Sequence, residues 1–202
     1  MILFTKEFND LPATGKPKWQ KAQMSASITR EQIEELRGGY NIDAMAMLEN
    51  ALHNESYTML SKLISKVIFS PRPTEIKWER ESGWLADLLD PQEKEEFIVT
   101  NLQIAAGIQD MSRFKPVPLK TMNNSGALYK IGEIFDVPMY IDPMMRWDEK
   151  ELAIVNGNII EFKEDKVAIV KEETFAPRIV TTIKYKLYHP NSTVYTITNI
   201  DF

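Results

Sequence analysis

The sequence predicts an α+β protein, and three observations predict it. Residues 28–69 keep their apolar side chains at helical spacing over a longer stretch than any other part of the chain. After residue 127 the chain is instead a succession of β-branched runs divided by Gly, Asn and Pro. Among the dividers, Asn156-Gly157, flanked by Ala153-Ile154-Val155 and Ile159-Ile160, is the strongest hairpin signal. A helix-rich first half followed by a sheet-rich second half is the α+β pattern.

The helical stretch is the element the rest is built around. From Ile42 onward, Met45, Leu48, Leu52, Met59, Leu63 and Val67 recur three, four or seven apart, which puts them on one helix face. At ~1.5 Å of rise per residue, residues 42–68 make a rod roughly 40 Å long, beyond the ordinary globular helix, and it reads as a spine. Its apolar face is expected to be core, with Met45, Met47 and Met59 as packing residues. Thr29 followed by Gln32 forms a capping-box signature for a shorter helix that turns Ile33 and Leu36 inward. Gly38 and Gly39 cost about 1 kcal/mol each inside a helix, so a break is expected there, with Asn41 capping the second helix. Ser70-Pro71 ends it.

On either side the signals are local. Residues 1–27 carry Pro12, Gly15 and Pro17 around a Lys-rich stretch, and read as an extended arm. Residues 1–24 are expected to lie outside the fold, with Trp19 and Met24 able to tack the arm onto a surface. After the spine, residues 74–79 alternate as a short strand does, and Trp84, Leu85, Leu88 and Leu89 make an amphipathic turn. Residues 91–111 fit two readings. One is a helix capped by Asp90 with Pro91 at its first position; the other is a strand, Phe97-Ile98-Val99-Thr100, followed by a shorter helix capped by Asn101. Residues 112–124, with Pro116 and Pro118 and no period, read as a long loop, a length usually kept for binding. Strands are expected at 127–131, 138–141, 152–155, 159–162, 166–170, 178–187 and 194–200, with a second turn at Glu164-Asp165.

Composition narrows the function. A chain of 202 residues, 44% hydrophobic, can bury its core without staples. The absence of cysteine removes disulfides, thiolate metal sites and a cysteine nucleophile, and suits a reducing cytosol. His53 and His189 stand apart and announce no metal site, so neither cofactor nor metal is expected. A net charge of -5 argues against a dedicated nucleic-acid binder, and no apolar run approaches the ~20 residues of a membrane span. No phosphate loop, zinc-protease helix or nucleophile elbow occurs. The acidic pairs Asp142 with Asp148 and Glu172 with Glu173 read as surface carboxylates, and Asp142-Pro143 before Arg146-Trp147 as turn chemistry. The chain is therefore expected not to be an enzyme.

Four stretches then carry a resemblance. The segment Tyr129-Lys130-Ile131-Gly132-Glu133-Ile134-Phe135-Asp136-Val137-Pro138-Met139-Tyr140-Ile141-Asp142-Pro143 resembles the glycine, apolar strand and Tyr-x-Asp-Pro pattern near the end of the major capsid proteins of T-even-like tailed bacteriophages. Ser27-Ile28-Thr29 through Leu36, then Asn41-Ile42-Asp43-Ala44 through Asn50, is similar to that family's entry into its spine helix. Val99-Thr100-Asn101-Leu102-Gln103-Ile104-Ala105-Ala106 resembles its strand-to-helix turn, which favours the second reading of 91–111. Thr174-Phe175-Ala176-Pro177-Arg178-Ile179 followed by Thr182-Ile183-Lys184-Tyr185 resembles its closing strand. The chain departs from the family in its short N-terminal region, in Lys184-Tyr185-Lys186 where the family has Arg-Tyr-Gly, and in a shortened stretch between Gly157 and Thr174. Its Met1 suggests a start other than a maturation cleavage.

The resemblance implies the Hong Kong 97-like capsid fold: an N-terminal arm or extended-loop remnant at 1–27, spine helix and peripheral-domain elements at 28–95, an axial domain at 96–155 and closing strands of the peripheral domain at 156–202. It implies a structural shell subunit, major capsid or capsid-vertex-like, that self-assembles into pentamers and hexamers in the host cytoplasm and ends in the virion. Its partners would be copies of itself, with other head proteins possible, packaged DNA touched non-specifically at most, and no membrane. The loop 112–124 would sit at the tip of the axial domain, making Val117, Leu119, Asn123 and Asn124 subunit-interface residues, with Trp19 on the arm. Two other readings compete: an encapsulin-like shell around a protein cargo, and a small enzyme or binding domain with an unread site.

Overall fold

The computed structural model describes residues 3–7, 18–89, 96–118, 128–170, 178–188 and 190–200. Its helices and strands are mixed as an α+β protein. They group into two compact units, one from Met1–Tyr57 with Ile160–Tyr188 and one from Thr58–Ile159 with His189–Phe202.

The first unit holds a four-stranded antiparallel sheet in the order β1 (Leu3–Glu7), β2 (Gln20–Ser27), β10 (Arg178–Leu187), β9 (Ile160–Val170). Strand β2 is an inner strand: Ala22, Met24 and Ala26 are all at most 2% exposed. The expectation that residues 1–24 stay outside the fold is therefore overturned for Leu3–Glu7, which pairs along β2 as a strand of the same sheet, and for Gln20–Met24 within β2 itself. Small residues hid this strand, because Ala22, Ser25 and Ala26 carry little of the β-branched bulk that marks a strand.

Helix α1 (Arg30–Tyr40) begins with the capping box read from the sequence: Thr29 Oγ1 accepts from the Gln32 N–H at 3.3 Å, and Gln32 Oε1 accepts from the Thr29 N–H at 3.2 Å. The break falls later than expected. Gly38 and Gly39 stay helical, and it is Asn41, in the left-handed region at φ 53°, that stops α1. Asn41 is thus the C-cap of the first helix and not the N-cap of the second. Asp43 takes that role, its Oδ1 accepting from the Met45 and Ala46 N–H groups at 3.0 and 3.2 Å.

Helix α2 (Ala44–Ile68) is the expected long helix. In the first unit Ala44, Leu48 and Leu52 pack with Met24, Ala26, Ile28 and Ile179 as one core. In the second, Met59, Leu60, Ile64, Val67 and Ile68 are buried, while Leu63, placed on the core face from the sequence, is only partly covered. Mid-helix, Ser56 satisfies its buried hydroxyl by donating to the Leu52 carbonyl at 2.7 Å. Among the described residues no helix is long and apolar enough to cross a membrane.

The second unit holds a seven-stranded sheet in the order β3 (Thr74–Lys77), β11 (Asn191–Thr198), β8 (Glu151–Asn156), β4 (Glu96–Thr100), β7 (Val137–Ile141), β6 (Tyr129–Ile134), β5 (Phe114–Pro116). The pairs β3/β11 and β4/β7 are parallel. Helix α3 (Gly83–Ala86) buries Trp84 and Leu85, and α4 (Leu102–Gln109) buries Ile104, Ala105 and Ile108, against Ile98, Ile134, Met139, Leu152 and Ile197 of the sheet. Of the two readings of 91–111, the strand followed by an Asn101-capped helix is the one formed.

Two local turn readings fail against long-range pairing, and one loop reading is corrected in part. Asn156-Gly157 closes no hairpin: β8 pairs with β4 and β11, whereas β9 pairs with β10 in the other sheet. Gly157 has the positive φ, 97°, that the turn signal implied, but uses it to leave one sheet for the other. Strand β9 runs unbroken through Glu164 and Asp165, which pair with Ile183 and Thr182. Within the stretch read as loop, Phe114–Pro116 is a strand against β6. There Gly132 is indispensable, since a Cβ would lie 2.5 Å from the Lys115 carbonyl oxygen and collide with the Phe114 ring.

The core assignments give a direct check. Leu52→Asp and Met24→Asp each put an unpaired carboxylate into a dry core, costing several kcal/mol. Both are expected to abolish cooperative thermal unfolding, while the exposed change Glu49→Gln leaves the melting curve in place. A normal melt for Met24→Asp would return β2 to the status of a detachable arm.

Candidate interaction site

The residues expected at a subunit interface fare differently. Val117 is half-buried just beyond β5, and its N–H donates to the Ile131 carbonyl at 3.0 Å, so it prolongs the sheet edge. Trp19 is 42% exposed in the other unit, with the Lys186 ammonium 4.9 Å from its ring centre. Lys186 Nζ also meets Glu161 Oε2 at 3.3 Å, and the Tyr188 hydroxyl donates to that oxygen at 2.9 Å. Leu119, Asn123 and Asn124 lie outside the described residues.

A better-built surface feature grows from the β4–α4 junction. Asn101 Oδ1 caps α4 by accepting from the Ile104 N–H at 3.0 Å, the role its position predicts. Its amide nitrogen faces three main-chain carbonyls some 45 residues further on, those of Arg146 at 3.0 Å, Trp147 at 2.9 Å and Glu149. Two protons serve three acceptors, so the donors are shared. The neighbouring Thr100 hydroxyl donates to the Glu151 carbonyl at 2.8 Å, and the Asp142 N–H to the Thr100 carbonyl at 2.9 Å. One dipeptide at the end of a buried strand thereby fixes both ends and the middle of the segment 142–151.

The segment also braces itself. Asp142 Oδ1 accepts from the Met144 N–H at 2.8 Å, the Asx turn that Asp142-Pro143 suggests, and Glu149 Oε2 accepts from the Arg146 N–H at 3.1 Å. Arg146 Nη2 and Asp148 Oδ2 pair at 2.7 Å on the surface. Between them Trp147 projects with 71% of its surface exposed. The turn was legible in the sequence, but the exposed indole and its anchorage were not.

Beneath the turn the electrostatics are unusual. Asp142, read from the sequence as a surface carboxylate, is instead 1% exposed, drawn inward because its N–H is held by the Thr100 carbonyl, and its Oδ2 has no hydrogen-bond partner among the described residues. Burial raises its pKa above the ordinary 3.8; the Met144 N–H and the nearby Ser65 hydroxyl oppose that push, and Glu149 adds to it. Glu151 is raised as well, first by burial and then by Glu149. A groove of about 390 Å³ runs alongside, lined by Ser65, Lys66, Met144, Glu149 and Thr196 among others. No three His, Asp or Glu side chains converge as metal ligands among the described residues. What this arrangement does chemically is hold a loop still and present an aromatic side chain beside an exposed ion pair.

Two substitutions separate the clamp from the cap. Asn101→Ala loses both and is expected to cost about 2–4 kcal/mol, a cap plus stranded carbonyls. Asn101→Asp keeps the cap acceptor but turns a carboxylate toward three carbonyls, and should be at least as damaging in urea unfolding. Wild-type stability in the Asp variant would mean the cap alone matters. For Asp142, the folded state holds its proton more tightly than the unfolded chain, so its contribution is most favourable below pH 3.8 and is lost as pH rises through the raised folded pKa. Asp142→Asn keeps the turn acceptor without the charge, and its stability relative to wild type should improve from pH 4 to pH 7. A pH-independent difference would count against a strained buried carboxylate.

No protein-family model matches the sequence, and no curated protein is similar to it. Among solved structures, one from Mycobacterium phage Che8 is similar over 98% of this chain and 84% of its own, with 10% sequence identity and a TM-score of 0.43.

Proposed function

We propose that this chain is a structural shell subunit of a tailed-bacteriophage head, with a Hong Kong 97-like arrangement, that tiles with copies of itself into pentamers and hexamers around packaged DNA. In this reading it carries no catalysis and no cofactor. The observation that carries it is the distribution of exposed apolar side chains. Tyr40 is 68% exposed at the end of α1 and Ile42 40% just beyond it, both in the first unit; Leu102 is 64% exposed and Trp147 71% in the second.

Large aromatics are costly to leave in water, and on structured elements they are the side chains that dominate protein interfaces. A subunit that tiles around a rotation axis needs two different patches, one to give and one to receive, because a ring is built from heterologous contacts. Apolar exposure on both units meets that need. The order of elements supports the reading too: an N-terminal strand, a short capped helix, a long spine and a closing strand that returns to the first sheet follow the sequence resemblance.

The test is the assembly state of the purified chain. Sedimentation velocity with negative-stain microscopy, over a rising concentration series, is expected to give rings or closed shells without added ligand. A chain that remains monomeric throughout contradicts the proposal.

A further inference from the structure

Resting on the shell-subunit reading, we propose that Trp147 is the knob of a head-to-tail contact, seated in the groove at the α1–α2 junction of a second copy of this chain. The groove lies where Asn41 turns one helix into the next, has a volume of about 390 Å³, and is lined by Ile33, Arg37, Ile42, Asp43 and Met45. Its floor is apolar, with Ile33 and Met45 packed on the first unit's core, and its rim carries one cation and one anion.

The knob has the matching pattern. Trp147 stands between Arg146 and Asp148, whose charged groups are on the surface. Docked, the indole covers Ile33, Ile42 and Met45, and the exposed Arg146–Asp148 pair, 2.7 Å apart in the free chain and worth little in water, opens so that Arg146 faces Asp43 and Asp148 faces Arg37. The reversed orientation sets like against like, which fixes one register. Both capping bonds of Asp43 go to Oδ1, which leaves Oδ2 open toward a partner cation. A buried aromatic covers ~150–250 Å², and at the centre of an interface it typically dominates the binding energy. The Asn101 clamp adds pre-organisation, because the loop's ordering entropy is already spent in the free chain.

Knob and groove are different surfaces, so the contact is heterologous and propagates from copy to copy. Sedimentation velocity of the full chain tests it with Trp147→Ala, which removes the knob, and Ile42→Asp, which fouls the groove at a position 40% exposed. Each variant alone is expected to self-associate at least tenfold more weakly than wild type, with its melting temperature kept. Their equimolar mixture is expected to form 1:1 dimers, because one intact knob still meets one intact groove. Arg37→Glu and Asp148→Arg should each weaken assembly, and the double variant should recover it.

Variants that assemble like wild type overturn the knob and groove while leaving the shell reading intact. Variants that are monomeric alone and stay monomeric when mixed overturn the heterologous pairing. A wild-type chain that never self-associates overturns this contact together with the proposed function.

Discussion

The carboxamide of Asn101 is the interaction on which the functional surface depends. It sits at the point where a buried strand, β4, ends and a helix begins, so its position is fixed by the hydrophobic core through Ile98, Ile104 and Ile108, each fully buried. Its oxygen starts α4 and its nitrogen holds the carbonyls of Arg146, Trp147 and Glu149. A loop that would ordinarily sample many conformations is in this way tied to the most rigid layer of its unit. The exposed indole is carried on this held backbone: Trp147 is 71% exposed while its carbonyl accepts from Asn101.

Long-range topology adds a second constraint. Strand β10 pairs with β2 on one side and β9 on the other, so the first sheet closes only when residues 178–187 return to the N-terminal region. The inner position of β2 makes that region part of a core that includes Ile179 as well as Leu48 and Leu52. In the second sheet, β6 and β7 are joined through Phe135 and Asp136, both in the left-handed region at φ 54° and 64°. A type I′ turn usually asks for Asn and Gly there, and a phenylalanine stores about 1–3 kcal/mol of backbone strain. The exposed pair between Lys115 and Asp136, at 2.6 Å, connects this turn to β5.

What the sequence disclosed divides along the same line between local and distant interactions. The Thr29-Gln32 capping box, the Asp142-Pro143 turn and the Leu48 and Leu52 stripe could be read because each depends on residues within one or two turns, whereas the Asn101 cap was one of two local readings of 91–111 and the resemblance favoured it. The Asn156-Gly157 reading was right only in the positive φ of Gly157: Asn156 stays in strand β8, and the partner strand was wrong, since a turn signal does not say which strand follows in which sheet. Leu60 and Ile64 were missed in favour of Leu63, because a stripe drawn over 27 residues drifts around a real helix. The donors of Asn101 were invisible for the plainest reason: a polar residue reads as a cap from its neighbours, and its second role is decided 45 residues away.

Native-state hydrogen exchange, resolved by residue, tests the central claim that the 142–151 segment is a fixed platform. The amides of Ile104, Asp142, Met144 and Arg146 all donate within the clamp or its turn. They are expected to exchange far more slowly than an unstructured loop of the same sequence, and protection at all four should fall together when Asn101 is replaced. Exchange of Met144 and Arg146 at the unstructured rate in the wild-type chain would contradict the account, since Trp147 would then be carried on a loop that nothing holds.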